Sequence, residues 1–148
     1  MKLIIHGHVT LIDKKQYNRF KDMTFSIRKG WAETPYVTVG GKSLSRLIMD
    51  TPDGIIADHK NHNTLDNRRI NLRNVTRAQN MWNRKRTTGV SKYKGVYWSE
   101  ERKRWVAEIY LNNKRYKRKR AKCEKEAARH YNKWAKQLFG EYACLNKI

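Results

Sequence analysis

Asp58 and His59 stand side by side in the chain, and a polar loop carrying Asn61, Asn63, Asp66 and Asn67 follows them. Asn71 comes next, just before a short run holding Leu72 and Val75, and Asn80 lies beyond that run. Such groups handle protons and hard cations. An imidazole takes a proton from water near neutral pH. The oxygens of Asp58 and Asn80 suit one divalent cation, Mg²⁺ or Mn²⁺, rather than a soft metal. Together these capacities match the needs of phosphodiester cleavage: a nucleophilic water, charge relief on the phosphate and help for the departing oxygen. Taken singly, each residue has a plainer reading. Asp-His pairs are common, Asn-rich loops often only turn the chain, and Asn80 alone fits a solvated helix face. His62 reads as loop surface or a phosphate contact, and His6, His8 and His130 as structural or exposed. The combined order of Asp58, His59, Asn71 and Asn80 is what points to a site.

The elements that must position these residues are legible around them. Ile55 and Ile56 lead a strand into Asp58 and His59, Leu72 and Val75 mark a second strand, and Thr76 with Gln79 forms a capping box that opens a helix. Residues 52–84 therefore read strand, loop, strand, helix. Neighbours on a strand point to opposite faces, so Asp58 and His59 share one site only if the strand ends or bends there. Ahead of this unit, residues 1–51 read as a β-rich N-terminal module. Val9, Leu11 and Ile12 form one extended run, Phe25 and Ile27 a second, and Tyr36, Val37 and Val39 a third that ends at the turn signal Gly40-Gly41. Leu44, Leu47 and Ile48 have helical spacing. Residues 85–91 read as a basic linker. In residues 92–148, strands are expected around Tyr93–Trp98, Trp105–Leu111 and Arg115–Lys119, with a turn at Asn112-Asn113. A helix is expected over Glu124–Phe139, with the apolar stripe Ala127, Tyr131, Trp134, Ala135 and Leu138 and a stop at Gly140. Trp105 shares a face with Ala107 and Ile109 and is expected in the core.

Charge narrows the partner. The 148 residues carry 34 Lys and Arg against 13 Asp and Glu, a formal net charge of +21. Such a chain attracts polyanions, and phosphate neutralisation with counterion release favours clustered Lys and Arg. Ribosomal-type RNA binders and polybasic membrane-surface proteins are equally basic, so charge ranks nucleic acid first without separating DNA from RNA. No apolar run approaches the length of a membrane span, and no secretory signal is read. Cys123 and Cys144 form no close pair of the kind that binds zinc. A cytoplasmic setting, in a bacterium or a phage-infected cell, is expected, with no membrane and no obligate protein partner.

The stretch Ala57–Asn83 resembles the HNH endonucleases, in the phage and intron-encoded branch with Asn at the second and third signature positions. That resemblance implies a ββα-metal motif. His59 would be the general base, Asp58 and Asn80 would hold the metal, and Asn71 would steady the loop and the catalytic His. Arg68, Arg69, Arg73 and Arg77 would clamp phosphates beside the cut, although a generic solvated basic face reads equally well. One departure stands at Ser45-Arg46-Leu47, where relatives commonly have His-Arg-Leu.

Residues 93–146 resemble the AP2 DNA-binding domain, through Tyr93-Lys94-Gly95-Val96, Trp105-Val106-Ala107-Glu108-Ile109, Glu126-Ala127-Ala128-Arg129, Tyr131 and Leu145-Asn146. The resemblance implies a three-stranded sheet in the major groove backed by a helix. Candidate contacts on exposed strand positions are Lys94, Tyr97, Trp98, Arg102, Arg104, Lys114, Arg115, Lys117 and Arg118. The basic run Lys117–Ala121 replaces the family's Leu-Gly-x-Phe turn. The sequence as a whole reads as an α+β chain that hydrolyses double-stranded DNA in a metal-dependent, nicking, homing-type reaction. A non-catalytic DNA-binding regulator is the competing reading.

Overall fold

The hairpin that opens the chain pairs β1 (Lys2–Ile5) with β2 (His8–Leu11) around His6 and Gly7, whose φ values of 47° and 77° are those of a tight hairpin turn. This computed structural model describes residues 1–30, 33–85 and 89–148. It is a mixed α/β chain of small sheets that divides into two compact units, Met1–Asn80 and Met81–Ile148.

In the first unit, α1 (Lys14–Phe20) follows β2 and buries Gln16 and Phe20, four residues apart on one face. Sequence reading misses this helix because only Phe20 among its apolar residues is buried, with Tyr17 packed at the edge of the core. β3 (Phe25–Lys29), β4 (Pro35–Val39) and β5 (Lys42–Ser43) form an antiparallel sheet. Gly40 and Gly41, with φ of 54° and 79°, turn β4 into β5. α2 (Leu44–Ile48) leads towards the antiparallel pair β6 (Ile56–His59) and β7 (Leu72–Val75), and α3 (Arg77–Asn83) follows. One core joins these parts: Ile5, Ile12, Phe20, Val37, Val39, Leu44, Ile48 and Leu72. The N-terminal module and the β6–β7 pair are thus not separate bodies. Ile12, Val39, Leu44 and Ile48 are fully buried, each a side chain whose removal from water contributes about 1.5–3 kcal/mol.

In the second unit, β8 (Val96–Ser99), β9 (Arg104–Leu111) and β10 (Lys114–Ala121) form an antiparallel sheet in the order β10-β9-β8, and α4 (Glu124–Phe139) packs against it. The first strand starts at Val96, and Tyr93 is buried ahead of it. The helix buries Ala127, Ala128, Tyr131, Ala135 and Phe139, while Trp134 and Leu138 pack at the margin. Gly95 is dictated twice over. Its φ is +69°, and a Cβ there would lie 2.0 Å from the Tyr131 ring and 2.7 Å from the Glu108 carbonyl. Asn146 brackets the same segment. Its side chain accepts from Lys94 N–H at 2.7 Å and donates to Lys94 O at 3.0 Å. Of the expected linker, Arg86, Thr87 and Thr88 lie outside the described residues. Among the described residues no helix is long and apolar enough to cross a membrane, and Cys123 and Cys144 are not disulfide-bonded.

Candidate functional site

β6 ends at His59, and the chain turns at once, His62 N–H donating to His59 O at 3.0 Å and His62 taking φ 64°. The strand therefore stops where the alternation of Asp58 and His59 required it to stop. Asp58 is buried and His59 half-buried. Burial is the largest influence on the imidazole and pushes its pKa below the ordinary 6.5; a bond to Asn67 and the carboxylates of Asp58 and Asp66 act in the opposite direction. A histidine held neutral near pH 7 is ready to accept a proton.

Two asparagines divide the work of bracing. Asn71 lies in a short 3-10 turn, Arg69–Asn71, directly before β7. Its side chain accepts from Asn61 N–H at 3.1 Å and donates to Asn61 Oδ1 at 3.0 Å and Asp66 O at 2.8 Å. It steadies the loop. The imidazole is met by the side chain of Asn67, which is 1% exposed and sets Oδ1 3.3 Å from His59 Nε2. Asn67 Nδ2 points to Thr64 O at 3.3 Å and Thr10 Oγ1 at 3.4 Å. A carbonyl can only accept, so the amide nitrogen faces Thr64 and the amide oxygen faces His59. With Oδ1 accepting, Nε2 carries the hydrogen of the neutral ring. Sequence reading places Asn67 among the loop residues without this role. Its contact with His59 depends on how the loop folds back.

The loop is held from outside by the N-terminal module. Leu11 N–H donates to Leu65 O and Asn67 N–H to Leu11 O, both at 2.8 Å, and Thr10 Oγ1 donates to Leu65 O at 2.6 Å. Asp13 accepts from Arg69 N–H at 2.7 Å. Arg46 ties down the approach to β6 through Ile55 O at 2.8 Å, Thr51 O at 3.1 Å and Pro52 O at 3.2 Å. Ser45 is buried in α2 with its hydroxyl on Ser43 Oγ at 3.0 Å.

The arginines of this unit play different parts. Arg73 is the cross-strand partner of Asp58 and bonds its carboxylate, with both side chains nearly buried. That burial sets it apart from the exposed phosphate-clamping face expected for it. Arg68 is exposed and grips Asp66 through Nε at 2.8 Å and Nη2 at 2.7 Å, and this pairing holds the Asp66 carboxyl below the usual carboxylate range. Arg69 is exposed but spends one guanidinium nitrogen on Ile48 O at 2.6 Å. Arg77 is exposed on α3. Asn80 is half-exposed on the same helix, where Thr76 and Gln79 exchange the bonds of the expected capping box at 2.9 and 3.3 Å.

Of the two oxygens expected to hold a cation, the Asp58 carboxylate is bonded to Arg73 and the Asn80 amide is half-exposed on α3. Among the described residues no three of His, Cys, Asp and Glu gather as a closed zinc site would require. A sparse oxygen set fits Mg²⁺ or Mn²⁺, which keep several waters and bind through one or two protein oxygens plus substrate phosphate.

In the second unit the strand register sorts the basic residues by face, because paired residues on neighbouring strands project to the same side. Trp105, Ala107 and Ile109 belong to the helix-packed side. Their partners are Trp98, Lys119 and Lys117, and Lys114 pairs with Leu111 on that side. The opposite, open side carries Tyr97, Arg104, Arg115, Arg118 and Arg120. Sequence reading does not single out Arg120, and Trp98, Lys114 and Lys117 lie on the other side from the arginine row. Trp98 packs edge-on to Trp105 at 5.4 Å between ring centroids. Arg102 sits in the turn before β9 beside Glu101. Lys94 is not on a strand: its ammonium caps Trp82 O at 2.7 Å and Arg84 O at 2.8 Å at the end of α3, and burial lowers its pKa. It is therefore committed to the fold rather than displayed to a ligand.

Residues 50–82 match the family model described as HNH endonuclease. A protein of Acanthamoeba polyphaga mimivirus with the name "Uncharacterized HNH endonuclease" is 38% identical over 97 residues, 66% of this chain and 50% of that protein. The chain thus spans about half the length of the curated relative it matches. Both findings support the HNH endonuclease family for this chain. No solved structure matches.

Proposed function

We propose that the chain is a metal-dependent DNA endonuclease of the HNH type, with His59 as general base and with Asp58 and Asn80 as protein ligands of one Mg²⁺ or Mn²⁺. The observation that carries this reading is the end of β6, where a half-buried His59, kept neutral by burial and oriented by Asn67, adjoins the buried carboxylate of Asp58 within the segment that matches the HNH model. His59 Nδ1 takes the proton of the attacking water as the new P–O bond forms. Asn67 holds the ring in that tautomer, and Asn71 holds the loop that carries Asn67 and Asp66. When bound, the cation supplies charge relief on the phosphate and stabilises the departing 3′ oxygen. One such site per chain cuts one strand, so nicking is the expected product. The second unit is proposed as an AP2-like module whose arginine row on the open side reads duplex DNA, and a homing-type role in a phage or viral genome fits the pair of activities.

The test is conversion of supercoiled plasmid to open circles with Mg²⁺, with Mn²⁺ and with EDTA, for the wild type and His59→Ala. Nicking that needs the cation and disappears in His59→Ala, while duplex binding persists, is the expected result. Tight duplex binding without cutting by the wild type would replace the nuclease with a DNA-binding regulator, and stronger binding to structured RNA would remove DNA as the partner.

A further inference from the structure

Arg73 and Asp58 form an ion pair unlike the others. They face each other across β6 and β7, Arg73 Nε donates to Asp58 Oδ2 at 3.0 Å, and each side chain is only 10% exposed. The other ion pairs described each leave at least one partner open to solvent. A buried carboxylate without a counter-charge is strongly unfavourable, and here a guanidinium supplies it from the neighbouring strand. We infer that Arg73 is a positioning residue for Asp58, and that its charge competes with the divalent cation for that carboxylate. This rests on the reading of Asp58 as a metal ligand.

Two opposite consequences follow from one contact. The guanidinium is planar, so its Nε–H fixes the direction of the Asp58 carboxylate in a way that a round ammonium does not. Orientation of the ligand favours turnover. The same positive charge also repels a cation approaching Asp58, which weakens cation binding in the absence of DNA. A substrate phosphate adds the negative charge that offsets Arg73, so the cation is bound tightly only together with DNA. Arg73 thus keeps the resting site neutral and ordered, and ties its loading to the substrate.

The experiment measures Mn²⁺ binding without DNA by electron paramagnetic resonance, the Mn²⁺-dependent rise in Tm, and nicking at saturating Mn²⁺. The variants are Arg73→Met, Arg73→Lys and Asp58→Asn. Arg73→Met is expected to bind Mn²⁺ about tenfold more tightly or better, since a unit charge beside the cation is gone, and to show a larger Mn²⁺-dependent rise in Tm. A variant that folds only when Mn²⁺ is added supports the same conclusion. Arg73→Lys keeps the charge, so its Mn²⁺ affinity should match the wild type while its turnover falls about tenfold or more, because the carboxylate is no longer oriented. That arm decides the matter if Arg73→Met does not fold. Unchanged or weaker Mn²⁺ binding by Arg73→Met, or wild-type turnover by Arg73→Lys, overturns the inference. Wild-type Mn²⁺ binding by Asp58→Asn instead overturns the metal-ligand reading itself, whatever the Arg73 variants do.

Discussion

Asn67→Asp replaces the amide oxygen that faces His59 Nε2 at 3.3 Å with a carboxylate oxygen in nearly the same place. At that distance, and with an effective dielectric constant of about 20, a unit negative charge stabilises the imidazolium by about 5 kcal/mol. That would be a shift of about 3.7 pKa units at 1.36 kcal/mol per unit. The new carboxylate must itself be buried at a position now 1% exposed, and it can no longer donate to Thr64 O. Both costs reduce the effect, and a rise of about one to three units is expected. The sign is fixed by chemistry: the base must be neutral to accept a proton. In the wild type, burial holds the His59 pKa below 6.5, so with His59 as the base the acid limb of the rate profile is expected below that pH. In Asn67→Asp the limb moves to higher pH, with rates well under wild type at pH 6.5 and approaching it as the pH rises. Initial nicking rates across pH at fixed Mg²⁺, with an NMR titration of the His59 ring, measure both quantities. An acid limb that stays in place, or moves to lower pH, would refute either the contact of residue 67 with the His59 ring or the role of His59 as the base, and the NMR titration separates the two.

Two further perturbations test the second unit. Gly95→Ala puts a methyl group into the Tyr131 ring and against the Glu108 carbonyl at a positive φ; a destabilisation of about 3 kcal/mol or more is expected, visible as a lower urea midpoint, and a stable variant would contradict the packing of α4 on β8. Alanine at Arg118 or Arg120, on the open side of the sheet, should weaken duplex binding about tenfold each and reduce the salt slope by about 0.9 for each phosphate that is no longer neutralised. Lys117→Ala and Lys119→Ala, on the other side, should do less, and equal effects from both sides would deny the arginine row a distinct role.

Most of the elements around the site can be read from spacing. Ile56, Asp58, Leu72, Val75, Thr76 and Gln79 mark strand, strand and capped helix because each signal is local: a hydrophobic run, a turn or a cap. What escapes is non-local or lacks apolar contrast. Helix α1 shows one buried hydrophobe, Phe20, and so no periodicity. Arg73 looks like any other arginine until the register sets it opposite Asp58. The sidedness of the second sheet is hidden by the irregularity between Arg115 and Lys117, which changes which basic residues share a face and moves Arg118 and Arg120 into the row with Arg115.

The same distinction explains why the N-terminal module matters to the chemistry without supplying a reacting group. A loop of Asn, Thr and Asp cannot hold a shape by burying apolar surface, since it has little to bury. Its backbone groups must find partners elsewhere. Here they find them on β2, where Leu11 exchanges hydrogen bonds with Leu65 and Asn67, and on Asp13, which takes the Arg69 N–H. The strand is in turn fixed by burial of Ile12 in the core it shares with Leu72 of β7. The position of the His59 ring thus depends on apolar packing several residues removed from it, through Asn67. Splitting residues 52–84 from the residues before them would remove the strand that orders the loop. The smallest body able to hold His59 and Asn67 in register is the whole first unit, not the matched segment alone.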